Sequence, residues 1–196
     1  MKDETHSNSV RDHILSSAQT IMSGKGFSAV GLNEILKSAE VPKGSFYHYF
    51  ESKEAFGQAL LERYFDRYLA AMKEQFSRTG LTAGERLMAY WSHWIETQTT
   101  DDPQDKCLVV KLAAEVSDLS EPMRRVLLQG TGNICGKLTE IIKVGVADGS
   151  LHVTEEPHDI AVQLYQYWLG ASLIAKITRD DAPLKAALEV TKTRLF

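Results

Sequence analysis

Gly31-Leu-Asn-Glu-Ile-Leu-Lys-Ser-Ala-Glu-Val-Pro-Lys-Gly-Ser-Phe-Tyr-His-Tyr-Phe-Glu-Ser-Lys53 decides the fold of this chain. Leu32 to Ala39 reads as a short helix with Leu32, Ile35 and Leu36 inward. Ala39-Glu40-Val41 is a turn, and Pro42 opens a second short helix at the first-turn position where proline is tolerated. That helix runs to about Phe50. Two short helices around a tight turn place the second where it can enter a DNA major groove.

The same helical spacing extends outward in both directions, and no strand-like alternation persists. Upstream, Val10, Ile14, Leu15, Ala18, Ile21 and Met22 share one face of a helix that Gly24 and Gly26 end. Downstream, Ser52 is an N-cap with Glu54 in the first turn of a fourth helix reaching about Ser77, where Gly80 breaks it. Further helices are predicted over about 83–97, 106–116, 120–149, 158–178 and 183–195, with Thr99 to Gln104 and Ser150 to Pro157 as connectors. The expectation is an all-α fold of about nine helices. A helix-turn-helix domain spans 1–53, and a regulatory and dimerisation bundle spans 54–196.

Charge does not by itself point to DNA. The net charge is −4, and residues 1–53 hold six basic and six acidic side chains, so the head is only relatively positive. The case rests on side-chain chemistry. Lys43, Ser45, Tyr47, His48 and Tyr49 can donate hydrogen bonds to phosphates or base edges, and Gly44 lets backbone approach a phosphate. Lys53 reaches backbone phosphate from the positive end of the fourth helix. Phe46 and Phe50 are read as core.

Two cysteines are too few for a disulfide framework, and no signal peptide or membrane-length apolar run is present, so the chain reads as cytoplasmic. No CxxC, P-loop, dinucleotide glycine fingerprint or metal-ligand cluster occurs, and the histidines are scattered. An enzyme, a cofactor and a metal are therefore not expected; a thiol-dependent detoxifying enzyme is the weakest of three alternatives.

The aromatic-Tyr-x-x-Phe-x-x-Lys pattern of Phe46, Tyr47, Phe50 and Lys53, with Gly26-Phe27 after an amphipathic first helix, resembles the TetR family of bacterial repressors. That resemblance implies Tyr47 and Lys53 on phosphates, a homodimer through the last two helices, and a pseudo-palindromic double-stranded operator. It also implies a small-molecule inducer acting through the bundle. Two departures are visible. Gly31 supplies no side-chain cap to the second helix, and Glu40 stands where the family turn often has glycine, a strained choice if that residue is left-handed.

Cys107-Leu-Val-Val-Lys-Leu-Ala-Ala-Glu115, Val41 to Phe50, and Trp168-Leu-Gly-Ala171 with Lys176 further resemble the NemR-type subgroup, which responds to reactive electrophiles. Cys107 lies at the expected start of the sixth helix beside Lys106, where dipole and charge favour a partly exposed thiolate, although Asp102 and Asp105 oppose it. Cys135 is read as core. Lys176 is either a snorkelling or dipole-pairing lysine or one turned into the bundle beside the sensor thiol. Tyr90, Trp94, Tyr167 and Trp168 are candidates to line a pocket for a reversible apolar inducer, the second alternative, and otherwise form core or interface. Gly170, Ala171 and Ser172 would permit close helix approach between subunits.

Overall fold

The computed structural model describes residues 2–100 and 107–196, with side chains from residue 9 onward. Among the described residues there are nine helices and no strands: α1 (Lys2–Lys25), α2 (Leu32–Ser38), α3 (Lys43–Tyr49), α4 (Lys53–Phe76), α5 (Ala83–Thr99), α6 (Leu108–Leu119), α7 (Glu121–Ala147), α8 (Pro157–Thr178) and α9 (Ala182–Leu195). The expected helices all form, and their ends move by local chemistry. Pro42 is the N-cap of α3 rather than its first residue. α6 begins one residue after Cys107, and the expected start at Lys106, with Asp102 and Asp105, lies outside the described residues. α5 starts with a reciprocal capping box in which Thr82 accepts from the Glu85 amide and Glu85 reaches back to the Thr82 amide.

The chain forms two compact units, to both of which α4 and α7 contribute. The first comprises Met1–Tyr64 with Asp102–Leu128, and the second Phe65–Asp101 with Gln129–Phe196. The first unit is built on Ile14, Leu15, Ala18 and Met22 of α1, Ile35 of α2, Phe46 of α3, Phe56, Leu60 and Leu61 of α4, and Leu112 and Val116 of α6, all buried. Phe46, Phe50 and Phe56 meet as a triad with centroids 5.0–5.3 Å apart. Burying each ring contributes about 1.5–3 kcal/mol. Gly57 is required for this packing: a Cβ there would lie 2.6 Å from both the Met123 sulfur and the Phe27 ring.

The second unit centres on a stack of indoles. Trp91 of α5 and Trp168 of α8 lie face to face at 4.6 Å and 11°, flanked by Tyr90 and Trp94. Two buried hydrogen bonds tie helices across this core: Trp94 Nε1 donates to Ser172 Oγ and Trp168 Nε1 to Thr191 Oγ1, each at 2.9 Å. Ser172 therefore points inward, contrary to its expected place on an outer small-residue face; its hydroxyl also donates to the Trp168 carbonyl.

Candidate nucleic-acid interface and thiol site

α3 has two faces, set by the i, i+4 spacing of the helix. Phe46 and Phe50 are buried, as expected. Lys43, Gly44, Tyr47 and His48 are exposed on the other side, and Ser45 and Tyr49 are half-buried at its margins. Tyr47 is 49% exposed for an aromatic side chain anchored on a buried neighbour, with its ring edge-on to Phe46 at 5.5 Å. The Lys43 ammonium lies 5.8 Å from the Tyr47 ring centroid, so cation and phenol are presented together. Open space surrounds the Gly44 α-carbon, which leaves that backbone accessible.

The turn that aims α3 is held by two backbone bonds, Val41 N–H to the Leu36 carbonyl and Glu40 N–H to that of Lys37. Together these form a Schellman motif, which requires a left-handed residue at the position of Glu40. Glu40 indeed has φ +51°, so a non-glycine side chain is held in a left-handed conformation at the pivot of the reading head. Gly31 caps α2 without a side-chain bond, as its sequence implies. Ser52 Oγ accepts the Ala55 amide at 3.0 Å and fixes the start of α4.

Lys53 is not turned to solvent as a simple phosphate donor. Its ammonium donates to the Phe27 carbonyl at 2.9 Å and lies 4.6 Å from the Phe27 ring centroid. Burial pushes its pKa down, and the charge of Glu115 opposes that shift. Glu115 is a site residue that sequence reasoning missed as such. Its carboxylate accepts the amides of Phe27 at 3.1 Å and Ser28 at 2.6 Å. Burial alone would raise its pKa, but the Ser28 and Phe27 hydrogen bonds and the Lys53 charge outweigh it and hold the group below the ordinary carboxylate value. The available signal was Lys111 and Glu115, opposite charges four apart in a segment already singled out around Cys107.

Cys107 departs from expectation. It is the N-cap of α6 and is buried, not partly exposed. Burial pushes its thiol pKa up, against the opposing pull of the Val110 amide, the Tyr64 hydroxyl and the Val109 amide. The helix-terminal amides expected to favour thiolate are thus present, but desolvation of the anion outweighs them. Tyr64 Oη donates to Cys107 Sγ at 3.6 Å. Cys135 is buried, as read, and its thiol is likewise raised by burial.

Lys176 is exposed in the last turn of α8, which fits a lysine at the negative end of the helix dipole and not one turned into the core of its own unit. Of the candidate pocket residues, Tyr90, Trp94 and Trp168 are buried together, whereas Tyr167 is 44% exposed and faces away from them. The rotation between successive helix residues, about 100°, separates it from Trp168.

Comparison with known proteins fits this geometry. Residues 14–60 match the family described as bacterial regulatory proteins of the tetR family, and residues 83–191 match the tetracyclin repressor-like C-terminal domain. The chain belongs to the TetR family. It is 41% identical over 182 residues to the HTH-type transcriptional repressor NemR of Escherichia coli K12, covering 93% of this chain and 92% of that protein. It is 33% identical over 181 residues to the HTH-type transcriptional repressor DhaR of a Mycobacterium species, covering 92% and 89%. The crystal structure of E. coli NemR in its reduced form superposes with a TM-score of 0.91 at 40% identity, covering 96% of this chain and 97% of that one. This TetR-family chain is a transcriptional repressor that binds DNA through its helix-turn-helix, and its relatives are transcriptional regulators. Family members act as dimers on DNA operators. Among the described residues no helix is long and apolar enough to cross a membrane.

Proposed function

We propose that this repressor acts in the cytoplasm and leaves its operator when an electrophile or oxidant modifies Cys107. In this reading Lys43, Gly44, Ser45, Tyr47, His48, Tyr49 and Lys53 contact a pseudo-palindromic operator, and α8 and α9 join two subunits. The observation that carries it is the position of Cys107. It caps the one helix, α6, whose Lys111 and Glu115 hold the end of α1 in the unit that contains the reading head. An adduct on a buried cap residue cannot be accommodated without moving that helix. That NemR has been solved in a form described as reduced supports a thiol-dependent change of state.

The test is operator release by N-ethylmaleimide, using the DNA upstream of the repressor's own gene at fixed salt. Wild type is expected to dissociate on treatment and Cys107→Ser to stay bound. Release of both proteins would refute the covalent mechanism at this residue. The alternative is a reversible apolar inducer in the aromatic-rich second unit. One observation favours it: the buried Trp91 indole N–H has no hydrogen-bond partner among the described residues. Such an inducer would still act on Cys107→Ser.

A further inference from the structure

α6 grips the end of α1 with two opposite charges one helical turn apart. Lys111 Nζ donates to the Gly24 carbonyl at 2.7 Å, at the negative end of the α1 dipole. Four residues later, Glu115 accepts the Phe27 and Ser28 amides through its two oxygens. Gly26, at φ +94°, makes this possible: it turns the chain so that two successive N–H groups converge on one anion. A Cβ at Gly26 would also come within 3.0 Å of Glu115 Oε2. On the far side of the same residue, the Phe27 carbonyl receives Lys53 Nζ. Two convergent amides with a neighbouring ammonium are the donors from which phosphate sites are assembled. Here a carboxylate of the chain itself fills that site.

We propose that Glu115 is an internal counter-anion that competes with an operator phosphate for Lys53. The proposal rests on the reading of Lys53 as a phosphate contact. With Glu115 in place, Lys53 is drawn toward Phe27 and its charge is partly spent inside the unit. When the Glu115 charge is displaced or removed, Lys53 is released to the DNA backbone. Glu115 lies eight residues from Cys107, about 12 Å along α6 at 1.5 Å per residue. A displacement at the head of α6 is therefore felt at Lys53 through a rigid element. Glu115 is a positioning residue in this scheme, since it acts on DNA only through Lys53.

The test uses the full-length protein and the duplex that wild type selects from a random-sequence pool. Binding is measured across a salt series for wild type, Glu115→Gln, Lys53→Met and the double variant. Gln loses the charge and keeps one acceptor oxygen for the Phe27 and Ser28 amides to share, and a melting temperature unchanged from wild type confirms that the turn is retained. Glu115→Gln is expected to bind about fivefold more tightly, as a freed charge-assisted contact allows. Its salt dependence should steepen by a fraction of the roughly 0.9 in log–log slope that one whole phosphate contact gives, because wild-type Lys53 already makes part of that contact. In the Lys53→Met background Glu115→Gln should change neither quantity. Equal or weaker binding by Glu115→Gln overturns the proposal. So does tightening that persists without Lys53, which would mark simple repulsion between Glu115 and DNA. If Lys53→Met alone leaves affinity and slope at wild-type values, the phosphate-contact reading of Lys53 fails first. Selection of no duplex would remove the DNA-binding reading, and the proposal with it.

Discussion

Thr191→Val tests whether the core that positions α8 and α9 depends on one buried hydrogen bond. Trp168 and Thr191 are both fully buried, and the Trp168 indole N–H donates to the Thr191 hydroxyl at 2.9 Å. That hydroxyl donates in turn to the Ala187 carbonyl at 2.7 Å. Valine preserves the branched shape but replaces the acceptor with a methyl group, which leaves the indole N–H buried and unpaired. Such an orphan costs about 1–3 kcal/mol, and the buried methyl offsets about 0.8 kcal/mol of it. A net loss of about 0.2–2.2 kcal/mol should lower Tm by up to about 9 °C for a chain of this size. Melts followed by circular dichroism must be made at equal protomer concentration, because dimerisation shifts Tm by mass action. In a Trp168→Phe background no donor remains to be orphaned, so Thr191→Val should be neutral or slightly stabilising. A coupling energy of about 1–3 kcal/mol between the two positions follows. If Thr191→Val is equally costly in both backgrounds, the penalty is mere repacking and the hydrogen-bond argument is wrong.

Further predictions concern the first unit. Because burial raises the Cys107 thiol, native protein at neutral pH should react with N-ethylmaleimide far more slowly than the urea-unfolded chain, and Tyr64→Phe should slow it further by removing a donor that favours thiolate; mass spectrometry in a Cys135→Ser background reads the rate, and equal native and unfolded rates would contradict the burial. The linked stability follows the same sign: the neutral thiol suits the folded state, so this contribution is retained below the ordinary thiol pKa and lost as pH climbs above it, where the unfolded chain ionises first. Gly57→Ala, which puts a methyl 2.6 Å from Met123 and Phe27, should destabilise by about 1–3 kcal/mol in urea titrations, and an unchanged midpoint would show that those side chains yield freely.

The reading head was legible because its function is local. Phe46 and Phe50 are buried, and Lys43, Gly44, Tyr47 and His48 are exposed, since the seven residues of α3 and its C-cap Phe50 set both faces. Glu40 could be suspected of a left-handed φ for the same reason: the turn geometry depends on its immediate neighbours. The setting of Cys107 was not legible. Helix-terminal amides and charged sequence neighbours argued for thiolate, but the fate of the thiol is decided by burial and by Tyr64, 43 residues away. Glu115 escaped notice similarly, because its partners Phe27 and Ser28 are 88 and 87 residues upstream. Ser172 looked like a small residue for helix approach until Trp94, 78 residues distant, supplied its partner. Periodicity reports which face of a helix is apolar, whereas a polar group's partner is a long-range fact.

Under the proposed function, a buried sensor is an advantage rather than an obstacle. An exposed cysteine could carry an adduct in solvent at no cost to the fold, and DNA affinity would not change. A conformational shift needs a modification that one state tolerates better than the other. Cys107 is buried at the head of α6, so an adduct costs about 1–3 kcal/mol or more of overpacking in the unmodified geometry. Allosteric couplings typically measure 1–3 kcal/mol, or about 5–150-fold in affinity. Moving an equilibrium from 1:99 to 99:1 requires about 5.5 kcal/mol. One adduct falls short of that, but two in a dimer approach it. Half-modified dimers should therefore retain much of their affinity, with full release following modification of both subunits. Titration with N-ethylmaleimide, scored for adducts per dimer and for bound DNA in the same samples, would show release lagging behind the first adduct. Release proportional to the first adduct would mean that one α6 suffices and that the overpacking estimate is too low.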